Sequence, residues 1–164
     1  MQDKIILKKN SRQRLELTKV DLELLVFLEQ QRLLTLQQFY QAAKHLFELN
    51  ITEYSFKNRV RKFEAYRLIR GEHYSKGFDG ERFKFLCIES KAIDLLKENE
   101  LLDPSYNKPK IYKFNQKKNL LHFLATQQAA INILITFNAK AIKDPSTNKM
   151  KYPIIYNKTS FSHS

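Results

Sequence analysis

Apolar residues recur at helical spacing along the first part of the chain. Val20, Leu24, Phe27 and Leu28 mark one face of a helix expected to run from Thr18 to about Arg32. Thr18 is placed to cap it, and Asp21 sits where a capping acid helps. A second helix is expected from Thr35, with Leu36, Phe39, Tyr40, Ala43, Leu46 and Phe47 as its buried stripe and Asn50 as its stop. A third opens at Thr52 with EYSFKNRVRKFEAYR. Connections of about two to four residues would suit a three-helix bundle.

The period then changes. Phe83, Phe85 and Cys87 alternate with Arg82, Lys84 and Leu86, as in a strand. Gly77, Asp79 and Gly80 supply turn residues between this run and LIRGEHY, so a β-hairpin is expected. Ser90 is placed to cap a fourth helix, KAIDLLKENELL, which Asp103-Pro104 would end. A basic connector leads to a long helix starting near 115–119 and running to about Lys140. The chain divides accordingly into a basic arm (1–17, whose IIL suits a short strand), a helix-hairpin domain (18–104), a connector with a long helix (105–140), and a tail (141–164).

Charge sharpens this picture. The 164 residues carry 29 Lys and Arg against 17 Asp and Glu, a formal net charge of +12. Such an imbalance attracts polyanions, meaning nucleic acid or an anionic membrane, and does nothing for the fold. The charge is segmental. Residues 51–84 hold nine cations against five anions, and 105–151 hold nine lysines against Asp144, whereas 15–50 and 85–104 are slightly acidic. The near-neutral segments read as scaffold.

Three helices followed by a two-stranded wing is the order of a winged helix-turn-helix. The expected fold is therefore mainly α with a small β-hairpin, plus a long C-terminal helix. On the third helix Phe56, Val60 and Phe63 share one face. Tyr54, Lys57, Asn58, Arg61, Lys62 and Ala65 share the opposite one, with Arg59 at the flank and no acid among them. Arg can pair with guanine, Asn with adenine, and Lys with phosphate, so this face suits a DNA major groove. The plain alternative is a solvated helix face, although such faces usually mix Glu with Lys. His73, Lys76, Arg82 and Lys84 on the hairpin are expected to follow the DNA backbone or minor groove, against a purely structural hairpin with its charges turned outward. Gln37 and Gln38, at the start of the second helix, are further candidates to hold phosphate.

YSFKNRVRKFEAYRLI, FKFLCIESKAIDLL and NLLHFLATQQAAINILI together resemble the recognition helix, the second wing strand with its following helix, and the post-wing helix of plasmid replication-relaxation proteins. His122 and Leu124 stand where that family opens its long helix with a His-x-Leu-like start. Ser90-Lys91-Ala92 departs from the glycine often found after the wing. The resemblance covers about two thirds of the chain and implies DNA binding in plasmid or mobile-element maintenance.

Other chemistries find little support. His45, His73, His122 and His163 lie in separate segments, Cys87 is the single cysteine, and three glycines make no phosphate loop. No catalytic residue, metal site or cofactor is expected. His122 reads as a partly buried core histidine and Cys87 as an inert thiol. The longest apolar run, AAINILITF, is too short to span a bilayer, and the N-terminus lacks a signal-peptide core. A cytoplasmic protein is expected. Leu120, Leu121, Phe123, Leu124, Ile131, Ile133, Leu134, Ile135 and Phe137 spread over more than one face of the long helix, which predicts packing on its own helix-hairpin domain plus a second copy in a homodimer, against a helix simply wrapped by the C-terminal tail. The reading is a sequence-specific double-stranded DNA-binding protein in transcription regulation or plasmid replication and maintenance. A protein-interaction module and an RNA-binding protein are the alternatives.

Overall fold

The computed structural model describes residues 4–10, 13–75, 82–108, 117–136, 142–143 and 150–151. Residues 1–17, expected as a loose basic arm, instead contain a hairpin. Strand β1 (Lys4–Lys8) pairs antiparallel with β2 (Arg14–Thr18), placing Ile5 opposite Leu17 and Leu7 opposite Leu15. The reason is alternation: Leu15 and Leu17 are buried in the main core, while Arg14 and Glu16 between them face solvent. Asn10 closes the tip, its Oδ1 accepting from the Gln13 amide at 2.8 Å.

Thr18 ends β2 and caps α1 (Lys19–Gln31) through a full capping box with Asp21. Leu24, Leu25 and Leu28 are completely buried, and burial is continuous from Asp21 to Glu29, so α1 is the central helix. Arg32 leaves it with φ 70, and Leu34–Thr35 forms a short strand, β3. Thr35 and Gln38 make a second capping box at the start of α2 (Leu36–His45). This helix stops before the expected Asn50. Residues 46–52 form a longer connection than expected, because Glu48 adopts a left-handed φ of 53. Leu46 and Phe47 still pack inward, with Phe47 edge-on to Phe27 at 5.6 Å. Thr52 caps α3 (Glu53–Ala65), accepting from the Ser55 amide at 3.2 Å.

The expected hairpin is present as β4 (Ile69–Ser75) and β5 (Arg82–Ile88), registered from Ile69 opposite Ile88 to Ser75 opposite Arg82. Strand β3 adds to the far edge of β5, giving a three-stranded antiparallel sheet in the order β3-β5-β4. Helix α4 (Ser90–Glu98) begins one residue earlier than a Ser90 cap requires: Glu89 is the N-cap and gives no side-chain bond. It also ends before Asp103. Leu101 and Leu102 pack on the core beyond it as non-helical chain.

Helix α5 (Lys117–Thr136) lies against its own chain. Leu120, Phe123 and Leu124 pack with Leu33, Tyr74, Phe85 and Cys87 on one face of the sheet, while Ile131 and Leu134 join the main core. Glutamines stitch it down. Gln127 donates to the Gln31 carbonyl at 2.9 Å, Gln38 donates to the Leu124 carbonyl at 2.8 Å, and Gln128 bonds Gln41 at 2.9 Å. Five of the apolar residues are thus covered within the chain, as expected for the face that packs on its own domain. Leu121 and Ile135 are half-buried, Ile133 is 55% exposed, and Phe137 lies outside the described residues. His122 is exposed, not a core histidine, because its position on α5 faces away from both clusters. Two further short strands, β6 (Ile142–Lys143) and β7 (Met150–Lys151), pair antiparallel in the tail. Among the described residues no helix is long and apolar enough to cross a membrane.

Because Leu17 is fully buried, Leu17→Ala should cost about 2–5 kcal/mol of stability in urea unfolding. An unpacked arm would show almost no change.

Candidate nucleic-acid interface

Helix α3 sorts its residues by period. Phe56, Val60 and Phe63 are buried, and Phe39 meets Phe56 edge-on at 5.3 Å. Lys57, Arg61, Lys62 and Ala65 are exposed, Tyr54 is 73% exposed, and Asn58 is half-buried. These six occupy one strip, as the spacing predicts. Arg61 Nη1 donates to Asn58 Oδ1 at 3.2 Å, so the two groups suited to base edges lie side by side. No acid interrupts the strip.

Arg59 has another role. Its guanidinium makes a bidentate ion pair with Asp21, donating from Nε and Nη2 to the two carboxylate oxygens. Asp21 is 1% exposed and also accepts from the Thr18 amide at 2.7 Å and the Thr18 hydroxyl at 2.8 Å. The capping acid of α1 is therefore also the anchor of α3. Arg59 lies over the Phe63 ring as well, 5.8 Å from its centroid. Its expected part as a phosphate anchor is corrected: it is an internal strut.

Lys84 is corrected in the same way. Its ammonium pairs with Glu64 in the last turn of α3 at 2.7 Å. The side chain reaches Glu64 by crossing Gly71, where an added Cβ would collide with the end of Lys84 and with the Glu64 carboxylate. The pair ties α3 to the β4–β5 hairpin and neutralises the acid in the last turn of α3, leaving Glu53 in its first turn. His73, opposite Lys84 in the register, is exposed. Arg82 stands opposite Ser75 at the open end of the hairpin, and Lys76 lies outside the described residues. Gln38, a candidate phosphate holder, is 3% exposed and committed to the α2 cap and to α5; Gln37 is exposed.

A second polar cluster lies at the C-terminal end of α1. Glu29, 2% exposed, is bonded by Arg32 and by the Tyr106 hydroxyl. Burial pushes the Glu29 carboxyl above its ordinary range, against the pull of Tyr106 and Arg32. Burial pushes the Tyr106 phenol up to about 12. Lys108 donates to the Ile88 carbonyl. The cluster straps residues 106–108 across the scaffold. Cys87 is buried, and burial raises its thiol, which suits an inert side chain. Among the described residues no three His, Cys, Asp or Glu side chains gather to hold a metal ion.

No protein-family model matches the chain, and no curated protein is detectably similar to it.

Two outcomes follow from these clusters. Arg59→Ala leaves a buried carboxylate unpaired and should cost about 3 kcal/mol in thermal or urea unfolding, whereas Arg61→Ala, on the solvent side, should change stability by less than about 0.5 kcal/mol. The raised Glu29 value means that the folded state keeps this proton longer than the unfolded chain, whose carboxyl titrates near 4.5. Wild-type stability should therefore fall relative to Glu29→Gln as pH rises from 4.5 through the folded value, read from urea midpoints across that window.

Proposed function

We propose that this chain is a non-catalytic protein that binds double-stranded DNA in a sequence-specific manner, with α3 in the major groove and the β4–β5 hairpin beside it as a wing. The observation that carries this is the acid-free strip of Tyr54, Lys57, Asn58, Arg61 and Lys62, displayed on a helix held by ion pairs at its middle, through Arg59, and in its last turn, through Glu64. The major groove, about 12 Å wide, admits a helix, and cations on the face turned to it neutralise phosphates. Rigid attachment also lowers the ordering cost of binding.

The element order supports a winged helix-turn-helix. Helix α1, strand β3, helices α2 and α3, then β4 and β5 follow one another, and the small sheet places β3 beside β5. The basic strip lies on the third helix, where this architecture carries its reading residues. The resemblance to plasmid replication-relaxation proteins extends the reading to transcription regulation or to the replication and maintenance of a plasmid or mobile element.

Roles divide within the strip. Arg61 and Asn58 carry base contacts, and Lys57 and Lys62 carry phosphate contacts. Tyr54 and His73 add contacts at the edges. Arg61→Ala should cost about 1–3 kcal/mol on a selected duplex and much less on random duplex, measured by competition binding. Lys57→Ala should weaken both alike and lower the salt slope by about 1. Equal losses on both duplexes for Arg61→Ala would refute its part in reading sequence.

A further inference from the structure

The hairpin of β1 and β2 has an inner face and an outer face of different chemistry. Inward lie Ile5, Leu7, Leu15 and Leu17. Outward lie Lys4, Ile6, Lys8, Arg14 and Glu16, all exposed. At the root Lys4 and Glu16 form an ion pair at 2.6 Å and neutralise one another. Toward the tip the charge is one-signed. Lys8 stands directly opposite Arg14, and Lys9 follows; all three are exposed, and none forms a salt bridge among the described residues.

Facing cations on neighbouring strands repel and lower hairpin stability. Nothing in the fold requires them there, since the packing is done by the alternate residues. A polyanion would turn that repulsion into attraction. The hairpin is also tied to the scaffold through Leu15, Leu17 and the Thr18 cap, so its cations are presented on a fixed support.

Its position relative to α3 is set by the same joint. Thr18, the last residue of β2, shares the Asp21 carboxylate with Arg59 on the flank of α3. The exposed Glu16 carboxyl is held below its ordinary range chiefly by Lys4, with smaller pulls from Arg14 and Arg59. The root of the hairpin is thus joined to the flank of α3 through Thr18, Asp21 and Arg59.

We propose that Lys8, Lys9 and Arg14 form a second contact surface for the phosphate backbone of duplex DNA, flanking the site that α3 reads. The proposal rests on the DNA-binding reading of α3 and extends its footprint. The contact is to phosphate, so it is indifferent to sequence and sensitive to salt.

The test uses the full chain, its Lys8→Gln/Lys9→Gln/Arg14→Gln variant, and Arg61→Ala. Each is titrated with a selected duplex and with random duplex over a salt series. The triple variant should lower the slope of log affinity against log salt by about 2 to 3, equally on both duplexes. It should leave the preference for the selected duplex unchanged. Trimming the selected duplex by about one helical turn (~10 base pairs) from each end in turn should weaken the wild type at one end and leave the triple variant indifferent at that end. The melting temperature of the triple variant should equal or exceed that of the wild type, because the facing cations are gone. Single Lys8→Gln and Arg14→Gln variants should each give about one third of the slope change.

A triple variant with an unchanged slope, beside a wild type whose selectivity depends on Arg61, overturns this proposal alone. A wild type that binds no duplex at any salt overturns the reading of α3, and this proposal with it.

Discussion

One carboxylate holds the first half of the molecule together. Asp21 accepts from the backbone and hydroxyl of Thr18, which fixes the turn from β2 into α1, and from the guanidinium of Arg59, which fixes α3. Three elements meet at a group that is almost wholly withdrawn from water. A buried carboxylate is tolerated only when its lone pairs are filled, so the arrangement is all or nothing. If Thr18 or Arg59 moves, an anion is left uncompensated in the protein interior. That penalty makes the angle between α1 and α3 a fixed property of the fold.

A second tie completes the positioning. Lys84 reaches over Gly71 to Glu64 and fastens the last turn of α3 to the wing. Arg59 and Lys84 are thereby spent on Asp21 and Glu64 within the fold. Lys57, Arg61 and Lys62 remain exposed on α3, past the Glu53 of its first turn. The net charge of +12 matters less than this sorting of it. A chain with the same total and unsorted charges would attract polyanions without orienting them.

Much of the helical scaffold was legible because its signals are local. Thr18, Thr35 and Thr52 each cap the helix that the spacing predicted, and each makes its bond within three residues. Phe56, Val60 and Phe63 are buried as their period required, and Phe83 to Ile88 form the wing strand. What escaped the sequence was decided at a distance. Asp21 to Arg59 and Glu64 to Lys84 are pairings that no spacing rule announces, so Arg59 and Lys84 read as free cations. The apolar spread of α5 signalled packing on its own chain, but not which residues would meet it: the hairpin sheet at one end and the main core at the other. KIILK and RLELT were obscured by their charge: each is a short alternating run whose partner lies across a polar turn. Strand β3 is two residues long and exists only because β5 offers it an edge.

Helix α5 touches the sheet through Leu120, Phe123 and Leu124, and touches α1 and α2 through Gln127, Gln38 and Gln128. It is the one long element that joins the hairpin to the helical half from behind. Neither half can open without shedding α5, because its apolar residues are shared between them, Gln127 bonds the Gln31 carbonyl, and Gln38 of α2 bonds the Leu124 carbonyl. Amide protons in β5 and in α1 should therefore exchange with solvent through the same rare opening, and the β4–β5 hairpin is as slow to open as the core behind it.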